Sequence, residues 1–235
     1  MQRHEELIAL LEGMGASFTG FADVSGKLNG SLHSYHYAVT VGLHLSDAII
    51  DGITDKPTFT YFHHYRTVNA LLDQITLRGL LFIQQHGFNA VAVPASQTVN
   101  DAAEPFSAIF PHKTAAVLAG LGRIGKNGLF LHDAYGPRVR LATILTDMEL
   151  PCAKTSQEGS CQSCNRCVNA CPAMALTGRE WYEGAAREEI VDAKACSDYM
   201  NNNFKHIGRG SVCCGICIKI CPAKENNEKN QHNYR

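Results

Sequence analysis

The chain has 235 residues, 45% of them hydrophobic, and a formal net charge of −1. That length holds one good-sized core plus a small appended module, and the near-neutral balance offers no electrostatic footprint for nucleic acid. No apolar run nears the roughly 18 residues of a membrane span. The opening MQRHEELIALLEG lacks a charged n-region, an apolar h-region and a small-residue cleavage site, so a cytoplasmic protein with reduced thiols is expected.

Residues 5–14 place Leu7, Ile8, Leu10, Leu11 and Met14 at helical spacing, with Gly13 and Gly15 as a stop. Tyr35, Tyr37, Val39, Val41 and Leu43 alternate, which predicts a half-buried strand. A long helical pattern runs from Thr58 to Gln85 with Gly79 inside it, marking either a break or a close approach. His63 and His64 fall on that pattern, where adjacent positions cannot share one face. FNAVAV, residues 88–93, and RVRLATILT, residues 138–146, read as strands.

Between those strands the pattern predicts a helix over 113–119, a glycine-dense turn, and strand-like residues 128–131. The turn contains Gly120-x-Gly122-x-x-Gly125, the dinucleotide-binding spacing, with Asp147 near the position of a ribose-binding acid. A helix before the first glycine and a strand after the last is the reverse of the strand-turn-helix that such a site requires. Two uses remain open for Gly120, Gly122, Gly125 and Gly128. One is close backbone approach to a flat ligand, and the other is a tight connection between packed elements. Helices and strands mix without a regular strand-helix repeat, so the fold class is α+β. The composition changes near Pro151, giving an α+β core over 1–150, a cysteine module over 151–222 and a polar tail over 223–235.

All ten cysteines follow residue 151. Seven form the runs Cys161-x2-Cys164-x2-Cys167-x3-Cys171-Pro172 and Cys214-x2-Cys217-x3-Cys221-Pro222. In the bacterial two-cluster pattern three close thiolates cap one cubane and the fourth, set before proline, ligates the other. The second run lacks one short-range ligand, and Cys196 is the candidate to complete it. One 4Fe-4S cluster then takes Cys161, Cys164, Cys167 and Cys221; the other takes Cys171, Cys196, Cys214 and Cys217. Cys152 and Cys213 are left over, Cys213 being the substitute for Cys214 if the register slips by one. Zinc usually separates its cysteine pairs by a loop, and disulfides do not suit a reducing compartment. A module this small should draw much of its folding free energy from metal ligation.

At AGLGRIGKNGLFL, with the strand ending in Asp147, the Cys161 run, the isolated Cys196 and the Cys214 run, the chain resembles the epoxyqueuosine reductase-like proteins. These share a core and two clusters with the corrinoid-dependent reductive dehalogenases, and YFHHYRTVNALLDQI is similar to the family's tyrosine- and histidine-bearing helix. The resemblance implies a nitroreductase-like N-terminal core that holds cobalamin and a ferredoxin-like module that feeds it electrons. It also implies that Gly120, Gly122, Gly125, Lys126 and Asn127 line the corrinoid or substrate cavity.

The family's tRNA-modifying members carry a proton-donating Asp upstream of the AGLG turn, where this chain has Phe106 in ungapped register and Asp101 and Glu104 nearby. Those members continue into a helical-repeat domain that helps hold tRNA, and this chain reads as a short form without it. The expected function is an iron–sulfur oxidoreductase passing electrons from an external ferredoxin- or flavodoxin-type donor to a corrinoid or small molecule. Asp101, Glu104 and His112 are the candidate proton sources. The competing class is a dedicated electron carrier without its own catalysis; tRNA epoxyqueuosine reduction comes third.

Overall fold

The computed structural model describes residues 2–28, 30–97, 106–153, 161–208 and 213–223. Asp101, Glu104 and the tail beyond 223 lie outside the described residues. In chain order the elements are α1 (Arg3–Gly13), β1 (Phe18–Asp23), β2 (Tyr37–His44), α2 (Asp47–Asp51), α3 (Phe59–Gln85), β3 (Ala90–Val93), α4 (His112–Leu118), β4 (Gly122–Ile124), β5 (Phe130–His132), β6 (Val139–Thr146), α5 (Arg166–Ala170), α6 (Arg187–Ile190), α7 (Ala193–Phe204) and α8 (Ile216–Lys219). Among the described residues no helix is long and apolar enough to cross a membrane.

Two compact units are drawn from interleaved segments. The first comprises Met1–His44, Thr67–Leu121 and Arg140–Gln157; the second comprises Leu45–Arg66, Gly122–Val139 and Glu158–Arg235.

The first unit is built on a sheet of order β1-β2-β6-β3, and the β1/β2 and β3/β6 pairings are antiparallel. The inner strands β2 and β6 are buried along nearly their whole length on both faces, so β2 is not the half-buried strand that its alternation predicts: Ala38, Thr40 and Gly42, between the apolar positions, are covered as well. Phe18 faces Gly42 across the β1/β2 pair, and its ring occupies the space that a Cβ on Gly42 would need. Helix α1 packs on β1, and α4 on β1 and β2. Helix α3 runs through Gly79 without a break, because the glycine serves close packing. A Cβ there would sit 2.6 Å from Ile144 Cδ1 and 3.0 Å from Leu11 Cδ2. Leu7, Leu11, Leu72, Ile75, Ile83, Ile144 and Leu145 are fully buried, and at about 25 cal/mol per Å² such side chains supply most of the drive to fold.

In the second unit, Gly122 opens a two-stranded ribbon of β4 and β5. Helix α4 precedes the glycine turn and a strand follows it, so the local structure is helix-turn-ribbon, without the strand-turn-helix of a dinucleotide fold.

Candidate metal centre

The cysteine segments are short turns and helices whose backbone hydrogen bonds fix the direction of each thiol. The Cys164 N–H donates to the Cys161 carbonyl at 2.9 Å, and Gln162 between them takes a left-handed φ of 47°. Helix α5 carries Cys167 and ends at Cys171, whose extended ψ turns the chain away before Pro172. Helix α8 carries Cys217 and is entered through Gly215 at φ 80°, where a Cβ would meet Ile53 and Tyr61. Cys196 stands one turn into α7, which Asp192 caps by accepting from the Ala195 N–H at 2.8 Å. Helices α5 and α8 pack on each other.

Thiols of one run neighbour thiols of the other. Burial pushes the Cys221 thiol up to about 11, and the neighbouring Cys161, Cys167 and Cys164 push in the same direction. Burial likewise raises Cys214 to about 11, with Cys196 and Cys171 as its like-charged neighbours. Cys217 is raised further by burial and by Cys214, Cys196, Cys167 and Cys171; Cys196 is raised by burial, Cys171 and Asp192. Cys217 feels both groups, so the two adjoin. Buried thiols that repel one another as anions stay protonated until a cationic centre draws the protons off.

Cys161, Cys164, Cys167 and Cys221 line one small open-sided hollow together with Lys126 and Asn127. Among the described residues no three His, Cys, Asp or Glu side chains converge as they would on a single ion. Four thiols around a shared hollow fit a cubane.

The turn Gly125–Gly128 braces both cysteine runs. Lys126 Nζ donates to the Gln162 carbonyl at 2.7 Å and to Asn165 Oδ1 at 3.1 Å. Asn127 Nδ2 reaches the Cys217 carbonyl at 3.4 Å, and its Oδ1 accepts from the Leu129 N–H. Helix α8 is also held by residues that carry no sequence motif. Lys219 pairs with Asp51 at 2.8 Å, and Arg138 bridges Asp51 and Asp47. The Lys219 and Arg138 bonds hold the Asp51 carboxyl down to about 2.

Gly120, with φ 70°, lies in the first unit, whereas Gly122, Gly125, Lys126 and Asn127 lie in the second. His64 Nε2 accepts the Ser46 N–H at the start of α2. Cys152 Sγ donates to the Leu150 carbonyl. His112 opens α4, and both of its ring nitrogens are engaged. Nε2 bonds the Pro94 carbonyl at 2.9 Å and Nδ1 the Thr143 hydroxyl at 2.8 Å. The carbonyl can only accept, so Nε2 carries the proton and Nδ1 accepts from Thr143.

Burial lowers His112 to about 4 from 6.5. Below pH 6.5 the unfolded chain therefore binds more protons than the folded one. Its contribution, up to about 3 kcal/mol, is full above that pH and drains as pH falls toward 4. The difference in Tm between wild type and His112→Gln should shrink across that window; a constant difference would contradict the neutral, buried imidazole.

Residues 160–224 match the family described as a 4Fe-4S double cluster binding domain. A tetrachloroethene reductive dehalogenase of Dehalobacter restrictus is 45% identical over 121 residues, covering 45% of this chain and 21% of the relative. An epoxyqueuosine reductase of Cyclobacterium marinum is 32% identical over 116 residues, covering 46% and 34%. The chain is related to both groups. It is an iron–sulfur protein with two 4Fe-4S clusters, and it spans about a fifth to a third of the length of these curated relatives. It also shares the fold of a catabolic reductive dehalogenase solved with 3-bromo-4-hydroxybenzoic acid, with a TM-score of 0.73 at 18% identity over 95% of this chain and 33% of that one. The Streptococcus thermophilus epoxyqueuosine reductase gives a TM-score of 0.62 at 19% identity, covering 96% and 67%.

Proposed function

We propose that this chain is a reductase in which Cys161, Cys164, Cys167 and Cys221 hold one cluster and Cys171, Cys196, Cys214 and Cys217 hold the other. Electrons from an external ferredoxin- or flavodoxin-type donor pass through both to a corrinoid or small-molecule substrate in a nitroreductase-like core. The observation that carries the reading is the crossing of the two cysteine runs into adjoining groups. When bound, the clusters supply one-electron storage at potentials set by burial and hydrogen bonding. The chain's own residues set those conditions. Helices α5 and α8 fix the thiols, and Asn127 and Lys126 tie the runs to the Gly125–Gly128 turn. A corrinoid is supported by kinship, since one structural neighbour is described in terms of B12-dependent dehalogenation.

The test is anaerobic reconstitution with iron and sulfide followed by titration with cobalamin. Eight irons per chain, four for each of two clusters, with reducible EPR signals and a shift in the cobalamin spectrum, are expected. Full iron without cobalamin uptake would leave an electron carrier or a corrinoid-independent reductase.

A further inference from the structure

We infer that Lys126 is the counter-cation of the first cluster site, lifting the reduction potential of the cluster at Cys161, Cys164, Cys167 and Cys221. This rests on the ligand reading above. Lys126 is only 7% exposed. Its two hydrogen-bond partners, the Gln162 carbonyl and the Asn165 side-chain amide, are neutral, and among the described residues it meets no carboxylate. A buried ammonium without a negative partner is costly. The hollow that Lys126 lines is the one bounded by those four cysteines, so the missing negative charge is the filled site itself.

Four thiolates outweigh the positive charge of the iron–sulfide core, so the bound cluster is negative when oxidised. It becomes one unit more negative when it takes an electron from a low-potential donor such as dithionite. A fixed ammonium in a low-dielectric setting favours the more negative form, which raises the potential. Arg166 lines the same hollow but is exposed, where solvent and salt screen its charge. On the second run, Lys219 is already paired with Asp51. The first cluster therefore holds an electron in preference to the second.

The experiment is a potentiometric EPR titration of reconstituted wild type, Lys126→Gln, Lys126→Arg and Arg166→Gln, with iron and sulfide counted in each. Lys126→Gln retains hydrogen-bonding capacity without charge. It should keep its iron and shift one of the two midpoints negative by at least tenfold in the reduction equilibrium, about 59 mV for one electron, leaving the other in place. Lys126→Arg should stay near wild type, and Arg166→Gln should move the same midpoint by less. Unmoved midpoints in Lys126→Gln, an equal shift of both, or a shift in Lys126→Arg as large as in the glutamine variant would overturn the assignment. If Lys126→Gln fails to hold the first cluster, the arginine variant decides: a retained cluster at wild-type potential supports the charge, and a second loss makes Lys126 a packing residue. Wild type that takes up no iron would instead remove the ligand reading on which the inference stands.

Discussion

Cys196→Ala protein, reconstituted anaerobically, should carry about half the iron of the wild type, because a cubane with three thiolates is held far less firmly than one with four. The remaining iron should belong to the site of Cys161, Cys164, Cys167 and Cys221. Cys221→Ala should give the reciprocal result, sparing the other cluster even though residue 221 belongs to the second run. That crossed pattern separates the proposed partition from one in which each run serves its own cluster. In the latter, Cys221→Ala would damage the same site as Cys217→Ala, and double variants of the two would cost no more iron than either alone. Full iron in Cys196→Ala with an unchanged spectrum would remove Cys196 from the ligand set and turn attention to Cys213. Each vacant site also forfeits the folding free energy that ligation of its thiols would supply, so a fall in Tm should accompany the loss.

Gly122→Ala should unsettle the second unit by about 3 kcal/mol or more, the scale of severe overpacking. Gly122 has φ 151°, and a Cβ there would lie 2.1 Å from the Leu131 carbonyl oxygen and 3.0 Å from the His132 Cα. The obstacle is the facing strand of the β4/β5 ribbon, so no rotamer change relieves it. The ribbon leads directly into Gly125, Lys126 and Asn127, and shifting it would loosen the hydrogen bonds that brace both cysteine runs. The expected readouts are a lower urea midpoint and faster loss of iron to a chelator. Gly13→Ala is the control, since nothing lies within 4 Å of a Cβ at that position. Equal behaviour of the two variants would show that the ribbon yields freely.

The parts of this protein that were legible in the sequence are those whose physics is local. Within each run the cysteines follow one another at short intervals, so the Cys161 and Cys214 runs are legible from spacing alone. The long apolar stripe of α3 set its limits to within a residue. Strand β1 was missed because its burial runs in from Phe18, out at Thr19 and Gly20, then in again at Phe21 and Ala22, without a period of two. Helices α5, α6 and α8 have four or five residues each, too few to be stable by propensity; the packing of α5 on α8 is a tertiary fact. The interleaving of Leu45–Arg66 and Gly122–Val139 with the cysteine region is likewise made by contacts between residues far apart in sequence. At the candidate site, the Asp51–Lys219 pair spans 168 positions, and no motif links its members. The same holds for Lys126, whose partners at Gln162 and Asn165 became visible only with the fold.

The crossing of the two thiol groups has a consequence for biosynthesis. On the proposed ligand sets, a ribosome that has released the first run alone presents Cys161, Cys164 and Cys167 without Cys221, and Cys171 without any of its three companions. At typical elongation rates the stretch from Cys167 to Cys221 takes roughly 3 to 11 s to emerge. During that interval the nascent chain holds thiols that can neither close a cube nor hide from oxidants. On those ligand sets, neither site can be completed before the second run has been synthesised.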